Sequence, residues 1–138
     1  MNDLSSIEGQ VAVVTGGTAG MGEAACVRFG EAGAKVAVIG RTPEKGEAVV
    51  KRITDAGGEA MFVKAECADE TEVKAATKNI LDTWGRADIL VNTAGGFFDA
   101  PALEDVTAEG MRENYDWNVI AKFLITRELV PTMKANNY

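Results

Sequence analysis

Residues 11–22 read VAVVTGGTAGMG. A short apolar run from Val11 to Thr15 predicts a strand, and the residues from about 20 to 32 follow as a predicted helix. Between them lie glycines where the chain must turn sharply. Gly16 permits a tight turn, Gly20 lets backbone come close to a ligand, and Gly22 allows helix and strand to pack closely.

The same alternation continues outward along the chain. AKVAVIG, residues 34–40, predicts a second strand. Thr42 is placed to N-cap a helix with Pro43 in its first turn, and Val49, Ile53 and Ala56 recur at helical spacing toward Gly57 and Gly58. EAMFVKAE, residues 59–66, predicts a third strand. Asp69 with Glu72 three residues on resembles a capping box, ahead of Val73, Ala76, Ile80 and Trp84 on one helical face. ADILVNTAG, residues 87–95, predicts the fourth strand, and the polar and aromatic loop GFFDAPALEDV follows. A long helical pattern then runs over residues 107–134, with Met111, Tyr115, Val119, Phe123 and Arg127 along one side. Pro131 is expected to bend or end it.

Short apolar strands alternating with amphipathic helices predict an α/β fold, a doubly wound parallel sheet of Rossmann-like type. Right-handed crossovers predict the strand order 3-2-1-4. Residues 1–138 are read as a single, incomplete domain, because strand 4 should have a further strand beyond it. The ligand is expected at the carboxyl ends of strands 1 and 4, where the winding reverses.

Composition narrows the ligand. The chain of 138 residues is 46% hydrophobic and 25% charged, an ordinary globular balance that argues against disorder. Its formal charge of -7 argues against a broad nucleic-acid surface, so an anionic ligand must be held locally. The opening MNDLSSIEGQ has no basic segment leading into an apolar one, and no apolar run approaches the ~20 residues of a membrane helix. A cytoplasmic location is expected. Cys26 and Cys67 lack metal-type spacing, and there is no His to join them, so both are read as buried or half-buried thiols.

A glycine-rich turn between strand and helix points unpaired N–H groups and a positive dipole end at an anion, the arrangement that holds a dinucleotide pyrophosphate. The end of the second strand should read the ribose. An acidic residue there would bind the 2′-hydroxyl of NAD, but the sequence offers Gly40 and then Arg41, which can pair with a 2′-phosphate. NADP is therefore expected in preference to NAD.

These residues resemble the classical short-chain dehydrogenase/reductase family. Thr15-Gly16-x-x-x-Gly20-x-Gly22 is similar to its cofactor loop, LVNTAG at residues 90–95 to its Asn-Asn-Ala-Gly motif, and WNVIAKFLIT at residues 117–126 to its Asn-x-x-Gly-x-Phe-x-x-Thr helix. The resemblance implies cofactor contacts from Gly16, Thr18, Gly20, Met21 and Gly22 in the loop, with Arg41 beside them. It implies that Glu66, where Asp is usual, touches adenine, that Cys67 follows along the adenine edge, and that Asn92, Ala94 and Gly95 make room for the cofactor. Asn118 falls on the Asn of the catalytic tetrad, which bends its helix and holds a water of a proton relay.

The family's acid is a Tyr whose pKa is lowered by a Lys four residues on, preceded by a Ser. In this sequence Tyr115 is followed four positions on by Val119, and Tyr138 is the last residue. Two readings follow. The chain is the cofactor-binding half of an oxidoreductase acting on a carbonyl or alcohol, or it is a catalytically inactive truncated nucleotide-binding or assembly fragment. A methyltransferase or epimerase on another doubly wound fold is a weaker third. Either way, an open strand 4 and an exposed long helix, 107–134, predict a homo-oligomer through one of those surfaces.

Overall fold

The computed structural model of the chain describes residues 6–96 and 101–136. Tyr138, considered above as an acid, and residues 97–100 of the aromatic loop lie outside them. Val11–Thr15 forms β1, buried along its whole length between two parallel neighbours. A strand with neighbours on both sides and helices on both faces has no polar face to keep wet, and this is why its sequence lacks polar alternation.

Helix α1, Gly20–Glu31, leads to β2, Lys35–Gly40. Helix α2, Pro43–Asp55, leads to β3, Glu59–Lys64, and α3, Glu70–Trp84, leads to β4, Ile89–Asn92. All three pairings are parallel and the order is 3-2-1-4, with Thr15 level with both Ile39 and Asn92. The strands β1, β2 and β4 thus end together, and their carboxyl ends form one edge.

Alternate residues of the strands feed two cores. Val14, Val36 and Val38 meet Cys26 of α1 and Val49 and Ile53 of α2. Val11, Val13, Ala37 and Ile39 meet Val73, Ala76 and Ile80 of α3 on the other face. Fully burying a side chain such as Ile80 stabilises by about 1.5–3 kcal/mol. Ala56, expected on the buried face of α2, is its exposed C-cap instead. Gly46 is unfavourable within a helix, but a Cβ there would strike the Phe62 ring, so its place is set by packing on β3.

The caps differ in detail from the sequence reading. Thr42 stands at the N-cap of α2 but its hydroxyl makes no capping bond. Asp69 accepts from the N–H groups of Thr71 and Glu72, as expected. Glu72, however, accepts from Glu66 N–H at 2.8 Å and not from Asp69, so it ties α3 to the chain leaving β3.

The long helical pattern is present but is not one regular helix. Helix α4, Ala108–Tyr115, passes through a π-helical segment, Asp116–Ile120, into α5, Ala121–Ala135. Pro131 does not end it, because the helix runs on to Ala135. A proline removes one N–H from the ladder, while Leu124, Ile125 and Leu129 hold α5 in the core beside α3. Met111, Tyr115, Val119 and Phe123 do share one side, and all four are exposed.

At the opposite end of the sheet, the fully buried carboxylate of Asp88 accepts from Val11 N–H at 2.9 Å and receives Arg86 through both Nε and Nη2. Replacing Asp88 by Ala leaves a buried N–H unpaired, and we expect a loss of about 2 kcal/mol, read as a lower urea midpoint. A change below about 0.5 kcal/mol, the range of ordinary surface substitutions, would show that this bond does not secure the strand pair.

Candidate functional site

Where β1 ends, two stretches of backbone approach so closely that side chains are excluded. Gly16 has φ +66°, and a Cβ on it would lie 2.7 Å from Ala94 N. A Cβ on Gly22 would run into the Gly16 carbonyl and the Thr93 hydroxyl. The loop between them is tied to β2 by Gly17 N–H donating to Ile39 O, and beside it Thr93 N–H donates to Thr15 O, joining the ends of β4 and β1. Gly20 is different: φ is +54°, but the space beside it is open. Its conformation needs glycine, and its surface is free for approach.

Helix α1 starts behind this loop with Ala19 at its N-cap, which brings no side-chain acceptor. The helices α3 and α4 are capped by Asp69 and Thr107. The first turn of α1 therefore keeps the donors and dipole end that suit an anion.

A cleft of about 260 Å³ opens over the carboxyl edge, lined by Gly16, Thr18, Ala19, Gly40, Arg41, Ala65, Glu66, Cys67, Thr93, Ala94, Gly95 and Trp117. Seven of the residues expected from the sequence stand here: Gly16, Thr18, Arg41, Glu66, Cys67, Ala94 and Gly95. Gly20 and Met21 lie exposed in the first turn of α1, and Gly22 beside them is buried. Asn92 does not line the cleft. Its Oδ1 accepts from Thr15 Oγ1 at 3.4 Å and its Nδ2 donates to Thr126 Oγ1 at 3.3 Å, joining β1, β4 and α5.

Sequence reasoning missed Gly40 and Trp117 as cleft residues. A Cβ on Gly40 would strike the Thr18 side chain, so glycine at the end of β2 leaves room for the loop. Trp117 sits 76 positions from Arg41 in sequence, yet the guanidinium lies 4.3 Å from its ring centre. An aromatic residue just before Asn118 was the available signal.

Arg41 is also 3.8 Å from Glu66 Oε2, with about half of its side chain exposed. Glu66 is shared, because its other oxygen accepts from Ala68 N–H at 3.2 Å. Beneath them burial, aided by the Glu66 charge, pushes the Cys67 thiol up to about 11. Burial likewise pushes Cys26 up to about 12. Both are buried thiols, and neither is a nucleophile at neutral pH.

Asn118 falls inside the π segment. Its Oδ1 accepts from Gly96 N–H at 3.1 Å, and its Nδ2 donates to the carbonyls of Gly96 and Asn114. The Asn118 carbonyl accepts from Lys122 Nζ at 2.9 Å. The side chain is thus a clamp that fixes the turn after β4 to the irregular part of the helix.

Residues 10–138 match the short chain dehydrogenase family profile, and the chain belongs to that family. It is 37% identical over 125 residues to an oxidoreductase of Methylorubrum extorquens, covering 90% of this chain and 50% of that one. A metagenomic short-chain oxidoreductase in complex with NADP superposes with a TM-score of 0.89 at 35% identity, over 96% of this chain and 60% of that one. A 7α-hydroxysteroid dehydrogenase complexed with NADH and 7-oxo glycochenodeoxycholic acid gives 0.89 at 32% identity, over 94% and 50%. The chain spans about half the length of the curated relatives it matches.

The two glycines should respond differently to a side chain. Gly22→Val forces backbone apart and is expected to destabilise by about 1–3 kcal/mol, as overpacking does. Gly20→Ala meets only the strain of a left-handed backbone and should cost about 1 kcal/mol. Urea unfolding checks the order; equal costs would contradict the close approach at Gly22.

Proposed function

We propose that this chain forms the cofactor-holding part of a short-chain oxidoreductase that moves a hydride between NADP and a carbonyl or alcohol. The observation that carries this reading is the cleft itself. A glycine-rich turn, an uncapped helix start and a guanidinium stand on one edge of the sheet. The cradle fits a dinucleotide: Gly16 makes the tight turn against β4, Gly20 leaves the backbone open to a pyrophosphate, Met21 flanks it on the rim, and Gly22 sets the helix behind it. Gly95 and Ala94 leave room on the β4 side. When bound, NADP supplies or accepts the hydride. The chain's own residues hold and orient it, and Asn118 fixes the turn beside it.

Arg41 favours NADP. Its ion pair with Glu66 is long and half exposed, worth about 0–1 kcal/mol. A charge-assisted bond to a 2′-phosphate contributes about 1.5–3 kcal/mol, so phosphate wins and the preference is roughly ten- to a hundredfold. Arg41→Ala is expected to weaken NADPH binding by that factor and NADH binding far less, by calorimetric titration. Equal losses would remove Arg41 as the discriminating residue.

A second reading is a nucleotide-binding or assembly fragment without turnover. Nucleotide binding without reduction of any carbonyl would support it. A cytoplasmic location belongs to this proposal; among the described residues, no helix is long and apolar enough to cross a membrane.

The chain is proposed to self-associate. Among the described residues β4 pairs with β1 alone, and Met111, Tyr115, Val119 and Phe123 form an exposed apolar stripe along α4 and α5. Such edges and stripes are surfaces that seek partners. Sedimentation should show a dimer or larger species, and Met111→Lys with Phe123→Glu should shift it toward monomer if the stripe is used. A single monomeric species at all concentrations would reject association.

A further inference from the structure

Arg41 and Trp117 reach each other from the end of β2 and from the π segment. The irregular helix sends Asn118 to Gly96 and the preceding indole toward the other end of the cleft. Trp117 is the one aromatic ring among the described residues lining the cleft, and it is half-buried. Arg41 rests between that ring and Glu66. A planar guanidinium lying near an indole face occupies a place suited to another planar π-system, and a purine base stacks on aromatic rings of this kind.

We infer that Trp117 is the base-stacking residue of this site, and that Arg41 in the structure covers the face which the purine takes. Binding of a 2′-phosphorylated adenine nucleotide exchanges guanidinium for purine on the indole, while the guanidinium turns to the 2′-phosphate. The two residues then divide the work. Trp117 sets affinity for adenine in any adenine nucleotide, and Arg41 sets selectivity for the phosphate. This inference rests on the nucleotide reading above.

The test uses adenosine 2′,5′-bisphosphate and AMP as probes of the whole 138-residue chain. Trp84, the other tryptophan, donates its indole N–H to Glu59, a residue outside the cleft lining. The variant Trp84→Phe therefore reports Trp117 fluorescence alone. Both nucleotides should quench it. Trp117→Leu should weaken both by about tenfold and leave their ratio unchanged, in line with the loss of one base–aromatic stack. Trp117→Phe should restore most of the loss, whereas Arg41→Ala should act chiefly on the bisphosphate.

Nucleotide binding that leaves Trp117 emission unchanged, or equal affinities of wild type and Trp117→Leu, would overturn the stacking role while the nucleotide reading stands. Selective loss of the bisphosphate in Trp117→Leu would also overturn it, since the ring would then act only by placing Arg41. Failure of the folded wild-type chain to bind either nucleotide would remove the nucleotide reading itself, and the stacking role with it. The fluorescence arm requires no change at Trp117, so it decides the matter even if Trp117→Leu fails to fold.

Discussion

The close approach of backbone at the end of β1 is the constraint on which the rest depends. Gly16 faces Ala94, and Gly22 faces both Gly16 and Thr93, with no room for a Cβ. Glycine is required because the loop must turn inside the distance set by two adjacent parallel strands. This contact fixes where α1 begins and so where its uncapped first turn points. It also brings the loop beside the turn after β4, which is held in turn by Asn118.

The cleft that results has two ends of different character. At one end Arg41, Glu66 and Trp117 form a charged and aromatic cluster over the buried Cys67. At the other, Asn118 and Lys122 lie along the irregular helix near Gly95, and hydrogen bonds commit them to one another and to Gly96. The first end presents charge and an aromatic ring, and the second ties the turn after β4 to the helix. The π segment serves both, because it releases Trp117 and Asn118 in different directions within a single turn of helix.

Several expectations from the sequence agree with the structure because each was written in local chemistry. Four apolar runs gave four parallel strands, and a period near 3.6 in Val73, Ala76 and Ile80 placed the buried face of α3. The glycine spacing located the loop, and Arg41 after the second strand stands in the cleft. Other features depended on distance in space. Glu72 reaches Glu66 and not its own N-cap because the chain leaving β3 lies nearer to it. Pro131 lies within α5 because packing of Leu129 and its neighbours against the core holds the helix together. Asn92 turned to Thr126 because α5 crosses beside β4.

By itself, the sequence determined the class of fold, the strand order, the glycine-rich turn and the presence of one cation at the end of β2. Those follow from residue preferences and periodicities that repeat over a few positions. Only the tertiary structure decided that Trp117 lies over Arg41, that Asn118 clamps Gly96, and that the side of α4 and α5 bearing Met111 and Phe123 faces outward. These are meetings of residues far apart in the chain, or the rotation of a whole helix. Their geometry is set by packing distances and by one irregular turn, neither of which has a local signature.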